Sequence, residues 1–217
     1  MTARGARRTA LPEAVAAVVA LACLTSARAA RADDDDGLYG RFDGDLMLSA
    51  EVGPTESFPG EALSVRLGLH YLVTAGVFAA YDESFGLSAQ PVWRAFAGGV
   101  ELRPLFLARF ATDFEHGPAL LDLFADSFAL ALGGYVAELP PGSCEPPVRC
   151  LDTGLVAAAS IELPLLPQID GPFLAVRTSL RWSEQEEVAL DGMVGLTLGW
   201  HGIVPTHLVD ASDRLVP

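Results

Sequence analysis

The sequence predicts an all-β protein: a closed antiparallel up-and-down β-barrel of about eight strands. Three observations carry this reading. Segment after segment alternates apolar and polar residues with a period of two, the period of a strand. Stretches rich in Gly and Pro separate those segments, as turns do. The 217-residue chain is 51% hydrophobic and yet has a formal net charge of −14, so apolar and ionic residues must be sorted onto different faces.

The clearest stretch is 171–201. Leu174, Val176, Leu180 and Trp182 share one parity, and Arg177, Ser179 and Arg181 the other. After the acidic turn SEQEEV, Leu190, Val194, Leu196, Leu198 and Trp200 alternate with Asp191, Thr197 and His201. A greasy face ending in tryptophan and an ionic face opposite fit a membrane-spanning strand with lipid outside and a polar lumen inside.

The N-terminus reads as an export signal. Arg4, Arg7 and Arg8 precede the apolar run Ala14–Leu24, and A-x-A sites follow at 27–29 and 30–32. The run is too short for a membrane helix, which needs roughly 20 residues. Cleavage after Ala32 removes five arginines and Glu13, leaving nine arginines against 27 acidic residues, a net −18. Such a charge argues against nucleic acid as a partner. The organisation expected is a signal peptide over 1–32, an acidic segment over 33–37, a barrel over 38–203 and a tail over 204–217. All basic residues are arginine. Cys144 and Cys150 are expected to form a disulfide in an oxidising compartment; two cysteines without nearby histidine make a poor metal site, and no metal or cofactor is expected.

In chain order, 38–52 alternates with Leu46, Leu48, Ala50 and Val52 on one face and Arg41, Asp43, Asp45 and Glu51 on the other, with Met47 an exception. GPTESFPGE (53–61) is expected to turn. From Leu63 to Val77 the odd positions are apolar, against Arg66 and His70; one long strand and two tightly joined strands both fit. Residues 82–91 are expected to loop. Trp93–Arg103 sets Phe96, Val100 and Leu102 against Glu101 and Arg103. Pro104 marks a boundary, Leu105–Phe114 is expected to be another strand, and Pro118 suits the start of a short helix over 118–126. A strand over 128–138, a loop over 139–152 with its prolines and cysteines, and alternation over 155–165 (Leu155, Ile161 and Leu163 against Val156, Ser160 and Glu162) complete the series.

The ionic parity collects Arg41, Asp43, Asp45, Glu51, Arg66, His70, Glu101, Arg103, Glu162, Arg177, Arg181, Asp191 and His201. An eight-stranded barrel is only wide enough for side chains to fill, and an unpartnered buried charge is costly. Opposed charges are therefore expected to pair across the lumen as a plug; an arginine-lined passage for small anions is the alternative. The lipid-facing set expected is Leu46, Leu48, Leu174, Val176, Leu180, Trp182, Val194, Leu196, Leu198 and Trp200.

With its export signal, alternating Gly-rich aromatic strands and Trp182 and Trp200 near strand ends, the chain over 38–201 resembles small bacterial outer-membrane β-barrels of the eight-stranded kind. The resemblance implies an outer-membrane location, membrane lipid and the outer-membrane assembly machinery as partners, and a structural or surface-interaction role. The chain departs from that pattern at its end, because Val204–Pro217 continues beyond the last aromatic strand. No G-x-S-x-G, H-E-x-x-H, P-loop or dinucleotide motif occurs, and the histidines lack a Ser/His/Asp set, so no catalysis is expected. A soluble periplasmic barrel with its apolar faces turned inward around a small hydrophobic ligand is the competing reading.

Overall fold

A computed structural model describes residues 46–57, 60–84, 92, 94–112, 118–139, 150–184 and 190–204. The strands are β1 (Leu46–Ser57), β2 (Gly60–Tyr71), β3 (Ala75–Ser84), β4 (Arg94–Leu102), β5 (Ala129–Glu138), β6 (Leu151–Pro164), β7 (Gly171–Ser183) and β8 (Asp191–Val204). Two helices, α1 (Pro104–Ala111) and α2 (Ala119–Asp126), lie between β4 and β5. The strands form a closed barrel in sequence order, with every neighbouring pair antiparallel and β8 hydrogen-bonded to β1. Closure leaves no free sheet edge. At 9 to 14 residues, the strands have the length that a tilted transmembrane strand needs, about 9–11 residues.

Alternation sets the wall, but several boundaries differ from the sequence reading. β1 runs through GPTES instead of turning at residue 53. Pro54 has no N–H to give to a ladder, and it sits where β1–β8 pairing lapses between Val52↔Leu198 and Thr55↔Gly195. Residues 61–82 hold two strands. Tyr71 and Thr74 close the turn between them through Thr74 N–H donating to the Tyr71 carbonyl at 3.0 Å, with Leu72 (φ 47°) and Val73 (φ 61°) in the left-handed region. Two positive φ values give the hairpin turn whose twist matches the flanking strands. The conformation is strained for a β-branched residue, and packing of Val73 against buried Met47 and Phe106 offsets that strain. β3 carries on to Ser84 and β6 already begins at Leu151, so Asp82 and Asp152 are strand residues, not loop residues.

The largest correction concerns Leu105–Phe114, expected as a strand. Residues 104–111 are helical. Proline fits the first helical turn, where its missing N–H is not needed, and LFLARFA lacks the polar alternation that a wall strand carries. The helix over 119–126 is present, preceded by Pro118 at its N-cap.

The chain ends of the barrel, at Leu46 and Val204, share one rim with the β2–β3 turn, the two helices and the 165–170 turn. The opposite rim holds the other strand ends, among them Ser57, Ser84, Glu138 and Ser183. Cys150 is disulfide-bonded there. Cys144, Arg41, Asp43, Asp45, the expected signal peptide, the acidic segment and the tail beyond Val204 lie outside the described residues.

Candidate functional site

The barrel interior holds ions and the exterior holds hydrocarbon. Period-two geometry sends Glu51, Arg66, His70, Glu101, Glu162, Arg181, Asp191 and His201 inward, where all are buried, and Arg103 joins them just past the end of β4 at 1% exposure. Their partners come mostly from strands that are not neighbours, so the contacts cross the lumen.

The middle tier is an alternating square of two arginines and two glutamates. Arg66 of β2 binds Glu101 of β4 and lies 3.6 Å from Glu51 of β1. Arg177 of β7 reaches Glu51 at 2.5 Å and Glu101 at 3.6 Å. Thr197 Oγ1 donates to Glu51 Oε2 at 2.6 Å, and His70 Nε2 meets Glu101 Oε1 at 2.9 Å. The Arg66 guanidinium also lies 3.7 Å from the centre of the Phe78 ring, a cation–π contact. Each carboxylate thus faces two guanidinium groups, and low-dielectric burial is tolerable because neither sign is left alone.

At the rim with the chain ends, Arg103 Nη2 lies 2.9 Å from Glu162 Oε1, and His201 Nε2 lies 3.3 Å from Glu162 Oε2. Phe173 stacks on His201 with ring centroids 4.1 Å apart. Gly199 makes that stack possible: a Cβ there would stand 2.3 Å from Phe173 Cζ. Ser127, just after α2, donates to the Glu162 carbonyl and accepts from its N–H, both at 2.8 Å. Buried Phe106 and Leu123 turn inward from the helices at this rim.

Toward the opposite rim, Arg181 of β7 binds Asp82 of β3, directly across the barrel, with Asp191 at 4.0 Å. The Tyr135 hydroxyl donates to Asp152 Oδ2 at 2.7 Å. A cavity of about 40 Å³ remains between this tier and the middle one, beside Arg66, Asp82, Arg177 and Arg181, and one of about 20 Å³ lies beside Arg103 and Glu162. Each has room for ordered water, which needs roughly 10–15 Å³ of such space.

The outer wall is the reverse. Leu48, Leu174, Val176, Leu180, Trp182, Val194, Leu196 and Leu198 are exposed, Val194 to Leu198 by more than half, and Leu46 and Trp200 are partly exposed. Phe96, Val100, Leu132 and Leu155, at 57–60%, continue the surface around β4, β5 and β6. Aromatics gather at the two ends of this band: Tyr71 and Trp200 toward the rim with the chain ends, Tyr81, Phe96 and Trp182 toward the other. Arg94, which breaks the alternation of β4, stays outside and pairs with Glu83 at 3.0 Å.

Sequence reasoning did not include Asp82, Asp152, Tyr135 and Thr197 in the ionic set. Asp82 was legible: it continues the inward parity of Phe78 and Ala80, and only the neighbouring turn-forming residues end the strand early. Among the described residues no group of three or more His, Cys, Asp or Glu could hold a metal ion, and no helix is long and apolar enough to cross a membrane.

No protein-family model and no curated protein matches the chain. Among solved structures it is similar to the N-terminal β-barrel domain of Pseudomonas aeruginosa OprF, at 11% identity and TM-score 0.49 over 73% of this chain and 98% of that one. It is also similar to Neisserial surface protein A (10%, TM-score 0.38, 73% and 96%) and to the outer-membrane enzyme PagL (16%, TM-score 0.33, 73% and 99%).

Proposed function

We propose that this protein is an exported outer-membrane β-barrel whose outer wall meets lipid and whose lumen is closed by paired charges, serving a structural or surface-interaction role and not an enzymatic one. One observation carries the reading: the wall is inside-out for water. A soluble barrel that turned Leu196, Leu198, Val176 and Leu180 to solvent while burying Glu51, Arg66, Glu101 and Arg181 would forgo apolar burial, about 25 cal/mol per Å², and still desolvate its ions. In a bilayer the same arrangement places each group in a matching medium. Two aromatic tiers at the ends of the apolar band fit the two membrane interfaces. Lipid, and the assembly machinery that inserts such barrels, are the partners this reading names. The expected signal peptide over 1–32 and the tail beyond residue 204 belong to the same reading.

The ion pairs support a plug, because the arginines an anion would need are already held by carboxylates. His70 and His201 each face a glutamate within the network, an arrangement that supports a structural role for both. The reading is tested by expressing the full chain and fractionating the cells. Recovery in the outer-membrane fraction, a need for detergent, and faster gel migration before heating than after are expected. A detergent-free soluble monomer in the periplasm would overturn it and select the ligand-binding soluble barrel. Planar bilayers are expected to show no steady conductance; a steady anion current would replace the plug with a pore.

A further inference from the structure

The helix α2 carries its polarity the wrong way round for an element that meets water. Asp122, Leu123 and Asp126 are buried. Arg109 of α1 binds Asp122, lies 3.1 Å from Asp126 Oδ1, and donates to the Asp122 carbonyl at 3.1 Å. The opposite face, Leu120, Leu121 and Phe124, is exposed, Leu121 by 63%. Positions i, i+1 and i+4 fall on one side of a helix, so the three make one apolar surface; Leu105 and Leu107 of α1 are exposed as well. Charge inward and leucine outward is the inversion that the barrel wall itself shows.

The surface also continues that wall. Leu102 ends β4 just before α1, and Leu130 stands near the start of β5 just after α2; both are exposed. Ser127 ties the end of α2 to Glu162 of β6, where Leu163, Leu165 and Leu166 are exposed in turn. Phe124 stands at the rim that already carries Tyr71 and Trp200. At 8 residues, α2 is about 12 Å long at 1.5 Å per residue. It is too short to cross a bilayer, and against one it would lie along the surface.

We propose that α1 and α2 form a lipid-contacting shelf: Leu120, Leu121 and Phe124 enter the leaflet at the rim with the chain ends, while Arg109, Asp122 and Asp126 form the shelf's protein-side seam. The shelf rests on the outer-membrane reading of the barrel and adds to it a second element in contact with lipid. Its occupant is the acyl chain of membrane lipid because the apolar surface runs on from the wall without a change of character.

The test uses protein purified from cells, disulfide intact, in vesicles of phosphatidylethanolamine and phosphatidylglycerol. Leu121→Cys, Leu120→Cys and, on the barrel wall, Leu196→Cys are each labelled with an environment-sensitive fluorophore, and faster migration before heating checks that each variant is folded. Brominated acyl chains are expected to quench the labels at 120 and 121 as they quench the label at 196, and aqueous iodide to quench none. Quenching of 196 by bromolipid with 120 and 121 open to iodide would overturn the shelf and leave the barrel reading standing. Protection of 120 and 121 from both quenchers would place a protein there instead, a second copy or another chain, and would also overturn it. Iodide quenching at 196 would remove the barrel reading and the shelf with it.

Discussion

The two faces of β7 and β8 are built from adjacent residues and live in opposite conditions. On the inner face Arg177, Arg181, Asp191, Thr197 and His201 are packed against ionic and polar partners, with Arg181 reaching Asp82 directly across the barrel; on the outer face Val176, Leu180, Leu196 and Leu198 are exposed. The difference teaches that alternation alone does not say which side is the core. In water the apolar face would be inside. Here the ionic face is inside, and it can be because each charge finds its opposite within an eight-stranded lumen too narrow to hold much else. The surrounding medium, and not the chain's hydrophobicity as such, decides the assignment.

The comparison breaks most easily at Glu101, which serves Arg66, His70 and Arg177 together. Glu101→Ala leaves buried cations without their counter-charge, and removing one partner of a buried pair costs about 3–5 kcal/mol. Denaturant unfolding of the barrel in vesicles measures this; a change near zero would mean that the network is wet and the lumen open. Next is the outer face. Leu196→Arg near the middle of β8 is expected to destabilise the vesicle-inserted protein by about 2–4 kcal/mol, the cost of arginine at the lipid-facing midplane. On a water-facing surface the same change would stay within roughly 0.5 kcal/mol. The smallest effect sharpens the contrast in packing. Gly199→Ala on the inner face would set a methyl 2.3 Å from Phe173 Cζ and 2.8 Å from the Ala50 carbonyl, an overpacking worth about 1–3 kcal/mol. Gly192→Ala on the outer face meets only Leu180 Cδ2 at 3.5 Å, an ordinary contact, and is expected to be tolerated in the same unfolding measurement.

Much of the wall was legible because its signal is local. A residue's parity within its own strand separates Arg177 from Val176, and no knowledge of the rest of the chain is needed. Turn signals were less dependable. Pro54 and the segment 82–91 read as breaks, yet a lapse in β1–β8 pairing accommodates the proline, and Asp82 extends its strand because Arg181 waits across the barrel. The helix at Pro104–Ala111 was missed for a related reason. Its exposed leucines are as apolar as a wall strand, and only Arg109, drawn inward by Asp122 and Asp126, reveals the helical spacing. The partners within the lumen were not legible, because pairs such as Glu51 with Arg177 join residues 126 apart in sequence. Parity places both inside, whereas the closure of the barrel decides which ones meet.

The central claim is that the apolar parity faces hydrocarbon, and accessibility along β8 tests it most directly. Nitroxide labels at Val194→Cys, Leu196→Cys and Leu198→Cys, one at a time in vesicles, are expected to be reached by oxygen dissolved in the bilayer and not by a water-soluble nickel chelate. Collisions dominated by the nickel chelate at all three positions would contradict the account.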